Sequence, residues 1–272
     1  MAKNKQNDMS FLAHLEELRW HLVRSAISII AIGIVLFYFK EFVYNEFLIA
    51  HINPNFITYR LFCDFFTFFG VDSYFCSLSF PETLQVLKPT DQLMNSIWSS
   101  FILGFILAFP YILWEFWRFI APGLSKEEIK KSRGFIFIAS FLFFVGVLFS
   151  FYVIAPISMN FLYSFQISDK LVNQFTMSSH ISLVTNMLIG VSIMFELPVI
   201  IYFLTKIGLV TPEFLKKYRK LALVIVLIVA AIITPPDVAS QVVVAIPVLI
   251  LYEISIKVSK RVIKRQEKNA NK

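Results

Sequence analysis

The sequence predicts an all-α polytopic membrane protein of six transmembrane helices with both termini cytoplasmic, and three observations predict it. Hydrophobic residues make up 57% of the 272 and charged residues only 16%, with a mean hydropathy of +0.71. A soluble domain of this length has no use for so much apolar surface. Six segments, 22–44, 92–117, 134–154, 181–204, 221–233 and 238–252, are apolar and long enough to span or nearly span a bilayer. Lysine and arginine, finally, sort into alternate loops. The N-terminus and the stretches after the second, fourth and sixth segments hold all 25 basic residues except Lys40, Arg60, Lys88 and Lys170. The positive-inside rule places those stretches in the cytoplasm. The net charge of +7 therefore reports orientation and gives no reason to expect nucleic acid as a partner.

The elements follow in order. Ser10 is placed to cap a helix that continues into the first span. Over 1–21 this helix is amphipathic: Phe11, Leu15, Leu18 and Leu22 form an apolar stripe, with His14, Glu17, His21 and Arg24 beside it. It is expected to lie at the cytoplasmic interface with Glu17 displayed above the headgroups. Local pairing of Glu16 with Arg19 and of Glu17 with His21 is the plainer alternative. The segment begins without a small-residue cleavage site, so the first span reads as retained.

The loop 45–91 falls outside the cytoplasm and holds both cysteines, Cys63 and Cys76. An oxidising compartment permits a disulfide between them; two free thiols in an aromatic-rich loop are the alternative. Pro110, Pro198 and Pro247 lie inside spans, where neighbouring helices can satisfy the freed backbone groups. Glu196 sits well inside the fourth span and Gln241 inside the sixth. A carboxyl at the bilayer centre costs about 2.5–3.5 kcal/mol on insertion scales, so Glu196 is expected to face protein or a wet cavity. It is either glue between helices or a contact for a partner, and Gln241 can belong to the same surface.

The last two spans are short. Leu221 to Ile233 covers roughly 20 Å at ~1.5 Å per residue, against a core of about 30 Å. Thr234-Pro235-Pro236-Asp237 turns the chain, with Asp237 placed to cap the last span, and 257–272 is a basic cytoplasmic tail. Such mismatch thins the bilayer or draws in partners, which suits a protein that moves something through the membrane. No zincin, nucleophile-elbow or phosphate-loop motif occurs, nor any metal-ligand spacing.

Four stretches carry a family resemblance. His14-Leu15-Glu16-Glu17-Leu18-Arg19 resembles the N-terminal signature of the TatC family, the receptor and core subunits of the twin-arginine protein translocase. Phe119-Ile120-Ala121-Pro122-Gly123-Leu124, with Lys126 and Glu128, resembles its first cytoplasmic loop. Phe195-Glu196-Leu197-Pro198-Val199 resembles its fourth span, and Thr234-Pro235-Pro236-Asp237-Val238, with Ser240, Gln241, Ala245, Ile246 and Pro247, its last hairpin. They occur in family order and cover nearly the whole of one membrane domain, 1–272, except the loop 45–91.

The resemblance implies a non-enzymatic receptor without cofactor or metal in the bacterial cytoplasmic (inner) membrane. It implies binding of Arg-Arg signal peptides of folded proteins, recruitment of TatA- and TatB-type single-span subunits, homo-oligomers in the receptor complex, and export driven by the proton gradient. Glu17 and Glu128 would each take one guanidinium through paired charge-assisted hydrogen bonds, a geometry lysine cannot reproduce. Phe119 would meet an apolar signal-peptide side chain, while Leu18 and Arg19 shape the helix presenting Glu17. Glu196 and Gln241 would contact a single-span partner. Two features depart from the family: His21 stands where a second arginine is usual, and the loop 45–91 is long. The rivals are a proton- or sodium-coupled secondary transporter centred on Glu196, which predicts broken helices in two matching halves, and an intramembrane enzyme, which needs a second catalytic group at membrane depth.

Overall fold

The computed structural model describes residues 11–70, 76, 83–120, 126–168, 170, 174–234 and 238–270, with the side chains of 11–14, 126–133, 238–239 and 269–270 left aside. Apart from one isolated bridge between Gln85 and Thr176, the regular elements among them are helices. Helix α1 (Phe11–Tyr38) runs from the interfacial segment straight into the first span. Ser10, its expected cap, lies outside the described residues. The loop after it contains a helix of its own, α2 (Ile57–Phe68). Helix α3 (Asp91–Ile120) begins at Asp91, whose carboxylate accepts from the Lys88 amide at 3.2 Å, and tolerates Pro110 in its interior.

The third span is compound. Helix α4 (Lys126–Phe149) passes through one π-helical stretch, Ser150–Ile154, into α5 (Ala155–Ser164). Pro156 at the start of α5 cannot donate to the ladder, and a wider turn just before it absorbs the lost bond. Apolar helix therefore continues ten residues beyond the expected end at Ile154, to Ser164. The fourth span is also two helices, α6 (Met177–Phe195) and α7 (Leu197–Lys206), broken at Glu196. The hairpin at the end comprises α8 (Arg219–Ile233) and α9 (Val238–Ala270).

Among the described residues, five helices are long and apolar enough to cross a membrane. The expected fifth pass, α8, has 15 residues and reaches only about 22 Å. It is short, as its sequence predicted. The last helix is not: α9 has 33 residues, because the basic tail contains no breaker and continues the helix of the span. Its residues past Tyr252 also have something to pack against, as described below. Pro235, Pro236 and Asp237, including the expected cap, lie outside the described residues.

Contacts cluster into two compact units, residues 1–39 with 100–140, and 40–99 with 141–272. In the first, α1 and α3 cross backbone to backbone. A Cβ on Gly104 would stand 2.8 Å from the Ile29 carbonyl oxygen and 3.0 Å from the Gly33 amide, so only glycine permits this approach. In the second, α4 meets α6 at Gly146, where a Cβ would lie 2.7 Å from Ser192 Cα and 3.0 Å from Phe195 Cβ. There α9 lies along α7: Ile201, Leu215, Tyr252 and Ile256 form one buried cluster. Thr205 bonds Ser259 at 2.9 Å, and the Tyr252 hydroxyl donates to the Leu215 carbonyl at 2.9 Å.

Candidate functional site

The first unit gathers its polar groups around Glu115. This carboxylate is 1% exposed, although it stands in the aromatic run Trp114 to Phe119 near the end of α3. Nδ1 of His21, itself buried, lies 2.5 Å from its Oε2. Arg24 reaches the same oxygen at 3.8 Å, and Arg118 reaches Oε1 at 3.4 Å. Both guanidinium groups are about half exposed, so their pairing is screened by solvent, while the His21–Glu115 contact is dry. The side chain of Phe119 meets the His21 ring edge-on, centroids 6.1 Å apart. Arg118 lies over the Trp114 ring at 4.9 Å, and Trp117 is buried against Phe135.

The contact of His21 with Glu115 fixes the rotation of α1 about its axis. Glu17 precedes His21 by four residues and so shares its face; it is half-buried, as is Leu18. Arg19 points away, exposed, 3.4 Å from Glu16 and over the Trp20 ring at 5.6 Å. The alternative Glu16–Arg19 pairing thus exists, but His21 goes to Glu115 and not to Glu17. Glu128 belongs to α4, and its side chain lies outside the described residues. The sequence reading missed Glu115 altogether. Its signal was present: a carboxylate within an apolar run, three residues before Arg118 and facing a helix that carries His21 and Arg24.

In the second unit the fourth span breaks at Glu196 because Pro198 removes the amide that would continue the ladder from α6. Glu196 ends α6 and begins α7 in one residue. It is 7% exposed, and its Oε1 is buried without a hydrogen-bond partner. Phe195 beside it rests on Phe149, centroids 5.6 Å apart. Gln241 is half-buried, and its Nε2 donates to the Leu227 carbonyl at 3.0 Å, clasping α9 to α8. Among the described residues no group of three or more His, Cys, Asp or Glu could hold a metal ion. The cysteines resolve the open alternative: Cys63 and Cys76 are bridged, Cα atoms 5.0 Å apart.

Residues 13–247 match the family model for TatC, Sec-independent protein translocase protein. The TatC of Blattabacterium sp. subsp. Periplaneta americana (strain BPLAN), a Sec-independent protein translocase protein, is 43% identical over 265 residues, covering 97% of this chain and 100% of its own. The Sec-independent protein translocase protein TatCy of Bacillus subtilis (strain 168) is 33% identical over 271 residues, 99% of this chain and 96% of its own. The crystal structure of the twin-arginine translocase receptor TatC superposes with a TM-score of 0.70 at 34% identity, over 92% of this chain and 99% of that one.

Proposed function

This chain belongs to the TatC family of Sec-independent protein translocase proteins, and from that premise we propose that it is the signal-peptide receptor of a twin-arginine translocase in the bacterial cytoplasmic membrane. Six passes, the fifth short, leave both termini in the cytoplasm. Glu17 and Glu128 each take one guanidinium of the Arg-Arg pair, and Phe119 receives an apolar side chain next to it. Leu18 and Arg19 keep the presenting helix in shape. Folded passengers then cross with the help of TatA- and TatB-type single-span subunits, driven by the proton gradient, within a complex containing several copies of this chain.

The observation that carries this reading is the His21–Glu115 contact. It holds α1 so that Glu17 shares a face with a locked histidine and is partly shielded. Shielding lifts a carboxylate–guanidinium pair above the ~0–1 kcal/mol of a fully exposed bridge. His21 has taken the place of the family's second arginine without leaving Glu115 alone. For the partner subunits, Glu196 supplies the contact: a buried oxygen without a bond is the group a polar residue of a single-span helix can satisfy. Gln241 contributes through the hairpin it clasps.

Photocrosslinking to an Arg-Arg signal peptide in inverted membrane vesicles tests the reading. Changing both Glu17 and Glu128 to Ala is expected to abolish the crosslink while membrane insertion persists, and a Lys-Lys leader is expected to crosslink far more weakly than Arg-Arg. Undiminished crosslinking by the double variant sinks the assignment. Glu196→Ala is expected to keep the crosslink and lose transport.

A further inference from the structure

We propose that α2 is an interfacial helix whose free side lies among the acyl chains of the outer leaflet, anchoring the extracytoplasmic loop to lipid. The inference rests on the proposed topology, which puts the loop 45–91 outside the cytoplasm, and is independent of the chain's role as a receptor.

Three faces run along α2. One packs on protein: Thr58 donates to the Tyr152 carbonyl at 2.6 Å, and the buried Tyr59 donates to the carbonyls of His51 and Pro156 at 3.0 and 3.3 Å. Phe62 and Phe66, half-buried, continue that face. A second carries Arg60, Asp64 and Thr67, all exposed. The third carries Ile57, Leu61, Phe65 and Phe68, spaced four, four and three residues apart, with exposures of 48%, 61%, 56% and 85%. Phe69 joins them, its ring 5.0 Å from Phe65 and 5.4 Å from Phe68. A helix with one side on protein, one charged and one broadly apolar has the partition expected at a bilayer surface. In water, so contiguous an aromatic patch is a liability.

Two further observations choose lipid as the occupant. The first is height. Phe56, just before α2, stacks on Tyr152 at 5.9 Å, and Thr58 takes the Tyr152 carbonyl. Tyr152 is the nineteenth residue of the apolar run from Gly134. At ~1.5 Å per residue, roughly 27 Å of a core about 30 Å thick precede it. The third span runs on to Ser164 but carries Ser158, Asn160 and Ser164 beyond Tyr152, so α2 joins it towards the outer side of the hydrocarbon. The second is continuity. Phe141, Leu148 and Tyr152, spaced seven and four, form an exposed stripe on that span, and a span's exposed apolar stripe faces lipid. The Phe56–Tyr152 stack carries that stripe onto α2. The Cys63–Cys76 bridge ties the middle of the helix to the chain that follows it, so the helix is held by protein at Thr58 and Tyr59 in its first turn and by a covalent tie at Cys63.

The test uses the full chain in phosphatidylcholine–phosphatidylglycerol vesicles at high lipid-to-protein ratio. A fraction of the phosphatidylcholine carries an aryl diazirine on its acyl chain, and adducts are mapped by peptide mass spectrometry after irradiation. Phe141 and Leu148 serve as internal standards. Adducts on Leu61, Phe65 and Phe68 are expected at yields like those of the standards, and roughly tenfold above Arg60 and Asp64. Phe65→Asp with Phe68→Asp is expected to cut labelling of Leu61 about tenfold with the standards unchanged. Labelled standards beside an unlabelled α2 overturn the proposal, and so does labelling of Leu61 that is unchanged in the double variant.

Discussion

Glu115 and Glu196 are both almost sealed from solvent, at 1% and 7% exposure, and they keep opposite company. Glu115 has a buried histidine and two arginines. Glu196 has an oxygen with no bond at all. The difference teaches that burial alone does not say what a carboxyl is for. A saturated carboxylate holds helices in register, and removing it strands the groups it satisfied. An unsatisfied one contributes little to the fold that contains it, and its free oxygen is open to a group that the chain itself does not supply.

Glu115→Ala should produce the largest loss. It leaves His21 buried without its partner, for which about 3–5 kcal/mol is typical, and the two half-exposed arginines add little. Purified protein should melt well below wild type and signal-peptide crosslinking should fall with it; a melting point within a degree or two breaks the comparison from the saturated side.

A second histidine sharpens the contrast, because its ring is bonded to a neutral carbonyl and not to a carboxylate. Nε2 of His51, in the loop 45–91, donates to the Phe151 carbonyl at 2.9 Å while its Nδ1 has none. Burial pushes its pKa down from 6.5 to about 4. Folding therefore favours the neutral ring: its contribution is fully present above about pH 6.5 and is lost as pH falls from there towards about 4. The loss is on the order of 3 kcal/mol at most. His51→Gln should flatten the melting temperature across that window, whereas a slope unchanged by the substitution assigns the acid sensitivity elsewhere.

Gly104→Ala tests whether register is set by the crossing as well as by the ion pair. A methyl at 2.8 Å from a backbone oxygen cannot be absorbed by rotating a side chain, and overpacking of this kind costs about 1–3 kcal/mol. The loss should appear in thermal unfolding, and in crosslinking only as α1 turns. The smallest effect belongs to Glu196→Leu. Replacing an unbonded buried carboxyl by an apolar side chain should leave stability within about 1 kcal/mol of wild type, in either direction, while transport is lost. Destabilisation as large as that of Glu115→Ala would show that Glu196 is structural after all.

Hydropathy and the sorting of lysine and arginine made the membrane class and its helices legible, since both report directly on the solvent each segment meets. Glu196 was legible because it interrupts an apolar run near the middle of a span. Glu115 has the same chemistry but sits in an aromatic run close to a basic loop, where a carboxylate passes for interfacial; Arg118 is near in sequence, but His21 and Arg24 lie 94 and 91 residues away on α1 and cannot be read from local spacing. The helical tail is hidden in the sequence because lysine and arginine make a segment basic whether or not it is folded. What keeps it helical is packing: Ile256 and Ser259 against Ile201 and Thr205. The helix in the loop 45–91 was hidden for the same reason. Its stripe of Ile57, Leu61, Phe65 and Phe68 reads as part of an aromatic-rich loop until the packing of Thr58 and Tyr59 shows the helix.

Helix α9 is unbroken from Val238 to Ala270, some 50 Å at ~1.5 Å per residue. A stiff rod of that kind has a heading as well as a position. A fluorophore or gold label fused rigidly after Ala270 would keep its dipole locked to the rotation of Tyr252 and Glu253. Polarised emission from oriented membranes could then follow each tilt of the hairpin as the protein works.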